Sequence, residues 1–262
     1  MTRSVRATLA VIFYFLLVLS PLIVLLLAPR PPAREFWREF AVALGFAGLA
    51  LMGLQFVPTA RLPFMGDLFP MDIMYYFHHQ VSLLALGLIL AHPVILVLNN
   101  RYVLQFFNLG TALWRARAGV VAAVAVVLLV VLSVWRKELK AIYEAWRVSH
   151  AALAVVAVGL AMWHIFGVRH YLALPAQRVL WIAWAVVWVG MVAYVRLIKP
   201  LMLRQRPYRL VEVNQERDNA WTVVVEPVGH EGMRFQAGQF AWLTVDRSPF
   251  SLRQHPFSFV SS

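Results

Sequence analysis

Six stretches of the chain are apolar for long enough to cross a bilayer: Leu9–Ala28, Phe40–Val57, Met74–Leu98, Ala118–Trp135, Val148–Val168 and Val179–Val195. A hydrocarbon core about 30 Å thick needs roughly 20 such residues in a helix, because lipid offers no partner to an open backbone N–H or C=O. The pattern predicts six transmembrane helices. After Lys199-Pro200 the period changes. Trp221-Thr-Val-Val-Val225 and Phe240-Ala-Trp-Leu-Thr-Val245 are β-branched and aromatic runs bounded by Gly, Pro and Asp, the pattern of strands. Between them, Phe235-Gln-Ala-Gly-Gln-Phe240 holds Gly238, which can take turn conformations that other residues resist. The expected fold is a mainly α membrane protein, with a six-helix bundle over residues 1–203 and the start of a small antiparallel β-barrel over residues 204–262.

Composition sharpens this picture. Hydrophobic residues make up 61% of the 262 positions and charged ones 14%, against roughly 45–50% apolar in a soluble domain. A water-soluble globule is excluded. The chain has no cysteine, which removes disulfides, Cys-held Fe–S clusters or zinc, thiolate haem and a Cys nucleophile. Any metal falls to His, Asp, Glu or Met. The net charge of +12 sits in short basic clusters between apolar runs, not on one aromatic-studded face, so the partner is a lipid bilayer and not nucleic acid.

The first apolar stretch follows Arg3 and Arg6, exceeds a signal-peptide core in length and has no small-x-small cleavage site after it, so it reads as a retained span. With the N-terminus inside, the inner segments carry eleven Lys and Arg and the outer loops eight, the outer set including Arg30, Arg34, Arg38, Arg169 and Arg178. The dense cluster from Arg136 to Lys140 and the basic exit of span six both fall inside. This predicts that both termini lie in the cytoplasm.

Ionisable residues within a span are costly, and so they mark function. Here they are histidines. Span three holds His78, His79 and His92, and span five holds His150 and His164. His78 to His92 and His150 to His164 are each 14 residues, a spacing that returns to within about 40° of one helix face and separates the two rings by about 21 Å. His79 lies well off the face of His92 and ranks second. Spans three and five run in the same direction, so His78 comes opposite His150 at the inner end and His92 opposite His164 at the outer end. Neutral imidazoles approaching from both sides suit axial ligation of a haem iron, which makes these four the expected metal ligands of two haem b groups. A single intramembrane histidine can equally serve helix packing; the same spacing on two spans favours ligation. Carboxylates that a hard cation would need are absent from these helices, since Asp67 and Asp72 lie in a loop and Glu138 and Glu144 at an interface.

Paired histidines on the third and fifth of six helices resemble the ferric reductase and NADPH oxidase superfamily, over essentially the whole chain. The resemblance implies two b-type haems that carry electrons outward across the membrane. Some oxidases of that family place an aromatic between the haems. Here Ala85 and Ala157 occupy the midpoints, and Trp181, Trp184 and Trp188 of span six are the candidates to fill that place. Arg136, Lys137, Lys140 and Arg147 stand where they would pair with haem propionates, dock the tail or anchor the interface. Arg169 and His170 follow His164 closely and would attract an anionic acceptor or donate a proton. His170 falls about 120° from the ligand face and reads as a loop histidine.

The chain closes with Arg253-Gln-His-Pro-Phe-Ser258-Phe-Val-Ser-Ser262, which resembles the flavin-binding strand of the ferredoxin reductase-type barrel in the form typical of the same superfamily. By that resemblance Phe257 packs on the isoalloxazine ring of FAD, Ser258 hydrogen-bonds near its reactive nitrogen, and His255, followed by Pro256, approaches the pyrophosphate. A flavin accepts a hydride as a pair and releases electrons singly. No Gly-rich nucleotide-binding unit follows before Ser262, so the chain is expected to be truncated, with NAD(P)H acting as donor through sequence absent here. The function expected is that of a transmembrane oxidoreductase passing electrons from NAD(P)H through FAD and two haems to an outer acceptor, ferric iron or oxygen. A quinol- or partner-linked haem subunit serving a periplasmic protein, and a non-enzymatic histidine-lined transporter, are the alternatives.

Overall fold

In the computed structural model the membrane part is built from α1 (Arg3–Leu27), α2 (Phe36–Leu54), the short α3 (Phe56–Thr59) and α4 (Pro63–Leu68), α5 (Met71–Asn99), α6 (Trp114–Val134), α7 (Tyr143–Val168) and α8 (Pro175–Ala193). The structure describes residues 2–29, 31–235, 239–245, 248, 250–251 and 254–260, without the side chains of Pro63, Phe64, Asp67 and Asn219. The Gly238 turn, Arg30 and Arg253 therefore lie outside the described residues. Among those residues, six helical stretches are long and apolar enough to cross a membrane, and they coincide with the six expected spans. Two compact units emerge, Met1–Met191 and Val192–Ser262.

The helices extend past their apolar cores where polar residues close their ends. The Thr2 side chain accepts from Val5 N at 3.4 Å to start α1, and the Glu35 carboxylate accepts from the N–H groups of Trp37 and Arg38 to start α2. Pro21 sits inside α1 and has no N–H to return to the Leu17 carbonyl. The Ser20 hydroxyl donates to that carbonyl instead, at 2.7 Å, which restores a bond that lipid could not supply. The Pro21 carbonyl accepts from Gln177 Nε2 of α8 at 2.7 Å.

The tightest helix pairs are α6 with α7 and α2 with α5. A buried apolar cluster joins Phe46, Ala50 and Leu54 of α2 to Val158, Met162 and Ile165 of α7 and to Trp181, Trp184 and Trp188 of α8. The three tryptophans, at i, i+3 and i+7, form one face of α8. Trp181 leans on Phe46 with ring centroids 5.2 Å apart, Trp184 Nε1 donates to Ser20 Oγ at 3.3 Å, and Trp188 lies against Gly53. The column thus fastens α8 to α1 and α2.

Beyond α8 a single π-helical turn, Tyr194–Ile198, leads into α9 (Lys199–Arg204). The widened turn falls where Pro200 cannot donate back to Arg196. Four strands follow: β1 (Tyr208–Gln215), β2 (Trp221–Pro227), β3 (Phe240–Leu243) and β4 (His255–Ser258). β1 and β2 pair antiparallel with a bulge between Leu210 and Glu212, and β3 and β4 pair antiparallel from Phe240↔Ser258 to Leu243↔His255. Among the described residues these are two separate two-stranded sheets without a closed barrel.

A side chain at Gly53 would collide with the indole of Trp188, whereas nothing lies within 4 Å of one at Gly190. Gly53→Ala is expected to destabilise the bundle by about 1–3 kcal/mol through overpacking. Gly190→Ala should be neutral or stabilise by up to about 1 kcal/mol. Thermal unfolding of the detergent-solubilised variants measures both.

Candidate functional site

The two helices that carry the histidines do not pack closely on one another. Each leans on its own partner, α5 on α2 and α7 on α6, and they meet through facing rings. His78 lies opposite His150 with ring centroids 6.3 Å apart, and His92 lies opposite His164 at 6.5 Å. His79 is exposed and makes no such pair. Two imidazoles sharing a metal, with bonds of about 2 Å and ring atoms about 1.1 Å from their centre, put their centroids about 6 Å apart. Both pairs meet that distance.

Which nitrogen faces the partner follows from the other ring nitrogen. His92 Nδ1 lies 2.8 Å from the Ala41 carbonyl, and His164 Nδ1 lies 2.8 Å from the Arg115 carbonyl. A carbonyl only accepts, so each Nδ1 carries the proton and each Nε2 keeps its lone pair. His150 Nδ1 lies 2.9 Å from Ser133 Oγ, whose own proton is committed to the Leu129 carbonyl at 2.6 Å. The hydroxyl oxygen must then accept from His150, with the same outcome. His78 Nδ1 is buried beside the Gln55 carbonyl without a hydrogen bond of good geometry. Bonds of this kind fix tautomer and ring orientation and raise the basicity of the free nitrogen.

Glycines on the partner helices make room for the His92 and His164 rings. A side chain at Gly45 of α2 would come within 3.2 Å of His92 Nδ1, and one at Gly119 of α6 within 2.7 Å of His164 Nδ1. Each glycine stands four residues after the carbonyl that its histidine uses, Ala41 for Gly45 and Arg115 for Gly119. One helical turn therefore supplies both the acceptor and the space. Hydropathy reading passes over these glycines; a Gly on the span preceding each histidine span is the signal that would have found them.

At the His78–His150 end two arginines rest on aromatic rings. The Arg136 guanidinium lies 5.7 Å from the centre of the Tyr143 ring and 5.2 Å from that of Trp146, and Arg147 lies 5.9 Å from that of Tyr143. Trp146 in turn stacks toward His150 at 5.3 Å and donates from Nε1 to Ser133 Oγ at 3.4 Å. At the other end, the Tyr171 hydroxyl donates to Glu39 Oε2 at 2.7 Å, and the His170 ring meets the Tyr171 ring edge-on at 4.8 Å. The midpoint residues Ala85 and Ala157 are buried.

The fold and site are those of a six-helix membrane bundle with a facing histidine pair toward each of its two ends. Residues 44–161 match the model of the ferric reductase like transmembrane component family, so over that stretch the bundle is ferric reductase-like. The matched stretch contains His78, His92 and His150 and ends three residues before His164. No curated protein matches the chain.

Desolvation in the loop after α7 holds the His170 imidazole below its ordinary pKa; Arg34 and Arg38 add to this and Glu39 opposes it. The unfolded chain then binds the proton more readily than the folded one. The stability contributed by His170 is present above about pH 6.5 and is lost as pH falls below it. Ring resonances of His170 in isotope-labelled protein should titrate with a midpoint under about 6.5; a midpoint at or above that value would contradict the arrangement.

Proposed function

We propose that the chain is the membrane part of an oxidoreductase that carries electrons from cytosolic NAD(P)H, through FAD and two b-type haems, to an acceptor on the far side, ferric iron or oxygen. The observation that carries the proposal is the pair of histidine couples, at 6.3 and 6.5 Å, each a two-ligand set. Among the described residues no group of three or more His, Cys, Asp or Glu gathers to hold a metal, and two ligands suit a metal whose other positions a macrocycle fills. Bound haem would supply a one-electron carrier near each membrane surface. His78 and His150 would hold the inner one, and His92 and His164 the outer.

The protein's own part is to fix these ligands. The Ala41 and Arg115 carbonyls and the Ser133 hydroxyl hold Nδ1–H and direct Nε2 inward. With two histidines given to each site, an acceptor would react with a bound haem without itself ligating the metal. In the second unit, His255, Pro256, Phe257 and Ser258 are proposed to bind FAD, with Phe257 on the ring system, Ser258 near the reactive nitrogen and His255 toward the pyrophosphate. In support, β4 is held by β3 while His255, Pro256 and Ser258 stay exposed. Both termini would then face the cytoplasm of a bacterial inner membrane, as the basic inner segments favour.

The detergent-solubilised chain is expected to show the spectrum of low-spin haem b at two haems per chain, unaffected by carbon monoxide. His92→Ala or His164→Ala should remove the outer haem, and His78→Ala or His150→Ala the inner one. An unchanged haem-to-protein ratio in all four variants would refute the assignment. Gly119→Ala keeps all four histidines in the sequence yet displaces the His164 ring, so it should shift the potential or occupancy of one haem only, and Gly45→Ala, with its looser contact, should do so less. Spectroelectrochemical titration reads both.

A further inference from the structure

A cavity of about 840 Å³ opens between α7 and α8, away from the facing histidines. Its lining runs from Gly159 and Ala185, deep in the spans, to Arg169 and Arg178 at the end where His92 and His164 lie. Along α7 the distance from Gly159 to Arg169 is about 15 Å, half of a hydrocarbon core about 30 Å thick. The cleft is thus one leaflet deep.

Its lining has features that packing alone does not explain. Gly159 sits inside a helix, where glycine costs stability against alanine, and nothing lies within 4 Å of where its side chain would be. Arg169 closes α7 in the left-handed conformation, φ 64° and ψ −23°, a position that ordinarily selects glycine. Among the described residues its guanidinium makes no hydrogen bond or ion pair. Arg178 is pinned by Nε to the Leu172 carbonyl at 3.0 Å and by Nη2 to the Ala173 carbonyl at 3.4 Å, which leaves guanidinium donors free and already oriented. No carboxylate lines the cavity. Trp114 and Trp163 flank it edge to face at 5.5 Å, both more than half exposed, as tryptophans at the headgroup level are.

We propose that this cleft is a binding site for an anionic phospholipid of the leaflet that holds His92 and His164. One acyl chain lies along Gly159, and the phosphate sits between Arg169 and Arg178. Depth, apolar walls and two cations without a counter-charge are what such a lipid requires, whereas a quinone head would need acceptors as well as donors at the rim. The inference stands independently of the haem reading.

The test uses the purified full chain in mild detergent, with bound lipid counted by native mass spectrometry and stability followed by tryptophan fluorescence. Phosphatidylglycerol should bind about 25-fold more tightly than phosphatidylcholine, since two arginines at a lipid surface each contribute roughly a factor of five. Arg169→Gly relieves the left-handed strain while deleting one cation; it should fold at least as stably and lose about five-fold of that preference. Gly159→Leu fills the open space and should abolish tight phosphatidylglycerol binding while leaving the melting temperature in phosphatidylcholine unchanged. Equal binding of the two lipids, an undiminished preference in both variants, full stabilisation by inorganic phosphate alone, or displacement of the lipid by decylubiquinone would each overturn the proposal.

Discussion

The bundle depends on one interaction made twice: a histidine Nδ1–H donated across a helix interface to a backbone carbonyl, with a glycine one turn further along to let the ring approach. Interhelical hydrogen bonds and small-residue contacts are the means by which helices associate in lipid, where apolar burial gives little drive. Here both means act at the same turn. His92 joins α5 to α2 through Ala41 and Gly45, and His164 joins α7 to α6 through Arg115 and Gly119. Each helix pair is thereby fixed in rotation and depth before the pairs meet. The facing of α5 and α7 follows from two locked pairs, without direct interlocking of those helices.

The six spans and the four histidines were legible because each depends on a period of a single helix. Hydropathy over 20 residues marks a span, and 14 residues return to one face of it. The glycines and carbonyls were not legible, since their role exists only between helices. The same limit applies to the tryptophans of span six. Their i, i+3, i+7 spacing announces one face, but only packing shows that the face is turned to Phe46, Ser20 and Gly53 of the first two helices. In the second unit β1 escaped notice because Tyr208–Gln215 is largely polar and mostly exposed, so it lacks the β-branched density that marks β2. Arg169 in a left-handed turn gave no signal, because arginine is not the residue that such a turn selects.

Span six shows how a membrane helix with few polar residues can still be specified. Gln177 and Trp184 reach α1 around Pro21, the one place where proline has disturbed that helix, and they bond to the Pro21 carbonyl and the Ser20 hydroxyl. The disturbance created by Pro21 is thus used as the docking point for another span. Trp181 and Trp188, whose indole N–H groups are buried without a partner, contribute area and shape instead.

The two ring pairs are supported by different chemistry, and this has a structural consequence. At the His92–His164 end both acceptors are backbone carbonyls, fixed by the helices they belong to. At the other end His150 depends on the Ser133 hydroxyl, which also receives Trp146 Nε1–H and gives its proton to Leu129. Trp146 stacks beneath Arg136 and beside Tyr143. A shift of those groups therefore reaches the His150 ring through one aromatic contact and one hydrogen bond, while the His92 and His164 rings are insulated from it. The His78–His150 pair is the adjustable one, and it lies at the end of the bundle that carries the basic cluster Arg136 to Lys140.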